Sequence, residues 1–185
     1  MQTDKKVIFV FAGVFYFLVS LVTFILICGP TALCFRNFLF TQILFIIAFI
    51  DYNKGIIPNV AVLAGVIVWA AFLPFTGDGI RDGLISSLAG AAVLLVLLLA
   101  VTLVTEKVMK REVLGGGDIK IIAVTGLYLG VKAGLINLVL ICIAGLIYFA
   151  VSRRNKFALG PSVAVATYVS LLIGKQVADY LGYLI

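Results

Sequence analysis

Seven apolar runs, separated by short polar breaks, organise this chain. The first extends from Val7 to Cys28. At 22 residues it is longer than a signal-peptide core, and no A-x-A-like cleavage site follows, so it reads as a retained transmembrane helix. "GPTALCFRN" makes a short turn, and a second run ends at Ile50, against Asp51. After the polar "DYNKGI", Pro58 opens a third run that reaches Phe75; proline suits a first helical turn, where its missing N–H costs nothing. "TGDGIRDG" is a glycine- and aspartate-rich loop before the fourth run, Leu84 to Thr105. The charged "EKVMKREVLGGG" leads into the fifth, Asp118 to Gly130. Its 13 residues cover about 20 Å as a helix, against a bilayer core about 30 Å thick. Gly134 to Val151 and Ser162 to Tyr183 are the sixth and seventh runs, joined by the basic "SRRNKFALGP".

Composition turns these runs into membrane spans. The chain has 185 residues, 64% hydrophobic and 12% charged. Lipid must be the solvent for most of that surface. The expected fold is therefore all-α: a polytopic membrane helix bundle of about seven transmembrane helices. Residues 1–185 form a single integral membrane domain in this reading. The net charge of +6 is scattered through the breaks, which argues against a nucleic-acid partner.

With the N-terminus cytoplasmic, ten basic residues fall inside: Lys5, Lys6, Lys54, Lys107, Lys110, Arg111, Lys120, Arg153, Arg154 and Lys156. Four fall outside: Arg36, Arg81, Lys132 and Lys175. That bias is the positive-inside signature. The same assignment sets Asp51 and Asp118 at the same depth on the cytoplasmic side.

Chemistry rests on the carboxylates. The chain has no histidine, and Cys28, Cys34 and Cys142 form no CxxC pair. We therefore expect no metal site and no cofactor. Asp4, Asp78, Asp82, Glu106, Glu112 and Asp179 lie in tails, loops or helix ends and read as solvated charges. Asp51 and Asp118 each abut an apolar run, where an ionisable group faces a partner or a polar cavity. Taken singly, each has a bland account: Asp118 as a helix N-cap, Asp51 as a polar helix end. Taken together they suggest catalysis. Two adjacent carboxylates share one proton, so one activates water while the other protonates a carbonyl oxygen. Gly115, Gly116 and Gly117 suit close approach of a substrate backbone, or simply a flexible turn. Gly126 and Gly130 read as packing notches for a neighbouring helix.

Three segments carry a resemblance: "DYNKGIIPN" from Asp51, "GGGDIKIIAVTGLYLG" from Gly115 and "FALGPSVA" from Phe157. In this order they resemble the prepilin peptidases, membrane aspartic peptidases of the GxGD type, from about Phe40 to the C-terminus. The resemblance implies Asp51 and Asp118 as the catalytic pair. Gly115, Gly117 and Lys120 match its G-x-G-D-x-K helix start, with Gly116, Pro58, Asn59, Gly160 and Pro161 as supporting positions. It further implies type IV pilin-like or pseudopilin precursors as partners. A short basic leader would be removed at the cytoplasmic face of the cell membrane. Residues two apart on a helix do not face each other, so Lys120 is not a direct partner of Asp118. It is free to meet a headgroup or an acidic substrate residue.

Two other readings use the same aspartates. A presenilin-like intramembrane protease also carries GxGD, but its Y-D and P-A-L companions are replaced here by Ile50-Asp51 and "ALGP". A cation-coupled transporter would bind its ion between the carboxylates, yet no internal repeat is visible. A noncatalytic scaffold would tolerate neutralising both. Many bacterial members of the resembled family carry two CxxC pairs in a cytoplasmic domain and also methylate the new pilin N-terminus. Without CxxC, this chain is expected to act as a short, peptidase-only form. The purified protein should transfer no methyl group from S-adenosylmethionine to a processed pilin; transfer would overturn that expectation.

Overall fold

The computed structural model describes residues 2–75, 79–110, 114–152 and 158–184. Within them the chain is helical: α1 (Gln2–Cys28), α2 (Ala32–Lys54), α3 (Asn59–Phe72), α4 (Ile80–Met109), α5 (Gly116–Ser152) and α6 (Gly160–Leu184). A single 3-10 turn, Leu73–Phe75, closes α3. Among the described residues, four helices contain stretches long and apolar enough to cross a membrane: α1, α2, α4 and α5. The outward surfaces stay apolar, as lipid-facing helices require: Phe11, Leu26, Val60, Val96 and Leu146 are all more than half exposed.

At 37 residues, α5 would be about 55 Å long if straight, far more than a bilayer core. It is not straight. Gly130 has φ 70° and ψ −170°, outside the helical region and open chiefly to glycine. Asn137 Nδ2 donates to Thr125 Oγ1 at 3.1 Å. Twelve residues apart in an unbroken helix, these side chains would be about 18 Å apart along the axis. The chain therefore doubles back at Gly130. The first arm, 116–129, starts with Asp118 at one end of the bundle and runs to Gly130, and the second arm, 131–152, returns beside it. The sequence placed its break between the fifth and sixth runs at this glycine.

Small residues let α4 lie against this hairpin. A Cβ on Gly90 would sit 2.5 Å from the Gly126 carbonyl oxygen and 2.7 Å from Gly130 Cα. Without side chains there, the two backbones touch, which is how helices gain packing energy in lipid. Gly126 and Gly130 are thus the notches read from the sequence, and Gly90 is their counterpart on α4.

A fully buried polar cluster ties the hairpin to α6. Asn137 Nδ2 also donates to Thr167 Oγ1 at 3.2 Å, and Ser170 Oγ donates to Asn137 Oδ1 at 3.1 Å. The amide is satisfied on both sides, so its burial in an apolar bundle carries no orphan penalty.

Helix boundaries correct the sequence reading at both ends of α4, which takes in residues 80–83 of the "TGDGIRDG" loop and 106–109 of the charged connection, and at both ends of α2. The turn after α1 is only Gly29 to Thr31; Thr31 Oγ1 accepts from the Cys34 backbone N–H at 3.1 Å and starts α2 at once. Arg36 and Asn37 are therefore helical. Arg36 is buried, not an outer-loop charge: its guanidinium lies over the Tyr128 ring at 5.1 Å and donates to the Tyr128 carbonyl at 3.5 Å. A cation there complements the carbonyl end of the first arm, just before the break. At the other end α2 continues through "DYNK" to Lys54, closed by the Gly55 N–H on the Asp51 carbonyl at 2.7 Å. Asp78, Arg111, Glu112, Arg153, Arg154 and Lys156 lie outside the described residues.

Gly90→Leu should destabilise the protein by at least about 3 kcal/mol, because backbone rather than a flexible side chain must yield. The lipid-facing Val96→Leu should stay within about 0.5 kcal/mol. Denaturant unfolding in mixed micelles compares the two.

Candidate active site

Pairings fix the directions of the helices and bring four helix ends together. α1 runs antiparallel to α2, through Gln42 on Ser20 and Cys34 on Phe24. α3 runs alongside the first arm of α5: Ile57 lies under Gly117, and Tyr128 Oη donates to the Gly65 carbonyl at 2.6 Å. Phe40 stacks on Tyr128 at 3.8 Å and locks α2 into the same group. The C-terminal turn of α2 and the N-terminal turns of α3, α5 and α6 thus meet at one end.

Asp51 sits in the last turn of α2 and is only 6% exposed. A buried carboxylate needs a donor. It has one from 109 residues away: the Gly160 backbone N–H donates to Asp51 Oδ2 at 2.7 Å. Gly160 is the first residue of α6, so the carboxylate faces the positive end of that helix. A Cβ on Gly160 would sit 2.8 Å from both Asp51 Cβ and Oδ2. Only glycine allows the carboxylate this close. Pro161 follows in the first turn of α6, where a missing N–H costs nothing.

Asp118 is the third residue of α5 and half-buried. It is not the N-cap that one reading of the sequence allowed. The Gly115 carbonyl accepts from the Asp118 and Ile119 N–H groups at 3.0 and 3.3 Å, which puts Gly115 at the cap. The Asp118 side chain turns back over that residue, and a Cβ on Gly115 would lie 3.1 Å from its Oδ2. In this position Asp118 lies within electrostatic reach of Asp51. Folding therefore brings two carboxylates that lie far apart in sequence to the same end of the helices.

The other residues singled out from sequence surround the pair. Gly115 and Gly116 are exposed, and a Cβ on Gly116 would meet nothing within 4 Å. Gly117 packs on Ile57, where an added Cβ would stand 3.0 Å from Ile57 Cβ. Pro58 is the N-cap residue of α3; its carbonyl accepts from Ala61 and Val62. Lys120 points away from Asp118 and donates to Asn59 Oδ1 at 3.1 Å. Nothing along the chain carried a signal for Ile57. The polar cluster around Asn137 did have one, polar side chains inside apolar runs, that passed unused. Among the described residues no group of three His, Cys, Asp or Glu side chains is placed to hold a metal ion.

The model of the type IV leader peptidase family matches residues 38–150, more than half of the chain. The chain belongs to the type IV leader peptidase family. The matched stretch contains Asp51 and Asp118, while Gly160 lies beyond it. The chain is 32% identical over 152 residues to the prepilin leader peptidase/N-methyltransferase of Aeromonas salmonicida (strain A449). It is 32% identical over 152 residues to that of Aeromonas hydrophila. Each alignment covers 77% of this chain and 50% of the relative. The chain thus spans about half the length of the curated leader peptidases it matches. No solved structure matches it significantly.

Gly160→Ala should force Asp51 off its donor and cost about 1–3 kcal/mol. Gly116→Ala, in open space on a helix, should be neutral or slightly favourable. Thermal unfolding in detergent tests the contrast; equal effects would refute the close packing of Gly160 on Asp51.

Proposed function

We propose that this protein is a membrane aspartic endopeptidase that removes the short leader of type IV pilin-like precursors at the cytoplasmic face. The observation that carries this reading is the Asp51–Asp118 pair, one carboxylate buried against a backbone N–H and the other half-buried within its electrostatic reach. Membership of the leader peptidase family supports it, as do the names of the Aeromonas relatives.

The chemistry needs only these two groups, water and the substrate. Close carboxylates disfavour double ionisation, so the pair holds one proton. The ionised member takes a proton from water as the water oxygen adds to the scissile carbonyl carbon. The protonated member gives its proton to the carbonyl oxygen, forming a tetrahedral gem-diol. A proton then passes to the leaving nitrogen, the C–N bond breaks, and the pair again holds one proton. The exposed backbone of Gly115 and Gly116 borders the pair, suited to an extended leader held by main-chain hydrogen bonds.

The topology proposed with this chemistry has seven crossings, counting the two arms of α5 separately, and a cytoplasmic N-terminus. The first arm is about 20 Å long, shorter than the bilayer core. A short arm beginning at Asp118 lets water reach the carboxylates from the cytoplasm while the pilin helix stays in lipid.

Asp51→Asn and Asp118→Asn should each lower leader removal by at least about 1000-fold with the fold intact. Co-expression with pilin-like precursors from the same genome, read by intact mass, measures this. Cleavage inside the precursor's membrane helix would instead favour the presenilin-like reading. Ion flux in proteoliposomes, lost in Asp118→Asn, would favour a transporter.

A further inference from the structure

The segment between α2 and α3, residues 55–58, connects the Asp51 helix to a helix that starts beside Asp118. This segment and the first residue of α3 each touch the N-terminus of α5. Ile57 packs against Gly117, where an added Cβ would stand 3.0 Å from Ile57 Cβ. One residue past the segment, Asn59 Oδ1 accepts from Lys120 Nζ at 3.1 Å. Both contacts join the short stretch following Asp51 to the turn bearing Asp118. The polar contact is exposed at its ends, and an exposed contact between long or mobile side chains adds little to global stability. Its place in the fold is therefore more informative than its energy.

We infer that Lys120 and Asn59 form a clamp that sets the distance between the two carboxylates, making them positioning residues for the proposed peptidase reaction. This rests on the peptidase reading above. The geometry explains why a lysine stands two residues after Asp118 although it cannot face that carboxylate. Its four-carbon stem reaches across to α3, and its charge is matched by a neutral amide oxygen. A carboxylate partner at position 59 would put a third negative group beside the catalytic pair; asparagine accepts the hydrogen bond without doing so. In this arrangement Lys120 acts on the protein's own α3, not on the leader or on lipid headgroups.

Steady-state cleavage of a purified pilin-like precursor by the full-length protein in proteoliposomes tests the clamp. Lys120→Ala and Asn59→Ala should each lower kcat by roughly 10- to 100-fold, the penalty for slight misplacement of reacting groups. KM should stay within about 2-fold, since substrate contacts are untouched. The double variant should be no worse than either single one, because both break the same contact. Lys120→Arg, which still donates to Asn59, should recover most of the rate. Thermal unfolding of the same samples keeps the test sound, since the fold should survive every substitution. Three results would overturn the inference: a KM effect confined to Lys120→Ala, additive losses in the double variant, or unfolding in place of a kcat loss. If Asp51→Asn and Asp118→Asn cleave normally in the same assay, the peptidase reading itself fails, whatever Lys120 does.

Discussion

One hydrogen bond organises the rest: the Gly160 N–H on the Asp51 carboxylate, 2.7 Å long and buried. A carboxylate at the end of an apolar helix is costly unless something answers its charge. Among the described residues the answer is main chain rather than a basic side chain. An arginine or lysine would hold the carboxylate firmly ionised and occupy the space beside it. A backbone N–H at a helix start supplies a donor and a favourable dipole while leaving the second oxygen available. That choice requires the last helix to approach the second one without an intervening Cβ, and so requires glycine at position 160.

The remaining architecture brings this helix end to Asp118. The hairpin at Gly130 returns the chain so that α6 starts at the same end as α5. The Asn137 cluster holds α6 against both arms. Arg36 and Tyr128 tie α2 to the far end of the first arm, and Phe40 stacks on the same ring. The glycines at the α4 contact let α4 pack directly on the hairpin. Polar side chains in this bundle are thus used where helix ends or helix crossings must be fixed, and apolar ones face lipid.

Much of this was legible in the sequence because the physics involved is local. A carboxylate at the edge of an oily run is conspicuous, which made Asp51 and Asp118 stand out without any structure. A run too short to cross a membrane, ending in glycine, marked the reversal at Gly130. What stayed hidden was pairing across distance. Nothing near Asp51 announces that its donor comes from Gly160, 109 residues on, or that Lys120 reaches Asn59 across 61. Helix ends were also misjudged where polarity and helicity part company. "DYNK" looks like a loop yet continues α2, and "ALCFRN" looks like a turn yet buries an arginine. Polarity reports the solvent a residue meets; the backbone state follows from capping and packing.

The central claim is that these two acids activate a water molecule directly, with no covalent intermediate on the protein. A single turnover of precursor cleavage in water enriched in ¹⁸O, followed by mass analysis of leader and enzyme, tests it most directly. The account predicts one ¹⁸O atom in the new carboxyl group of every released leader, and none in Asp51 or Asp118. Label in either aspartate, or a leader released without label, would contradict it.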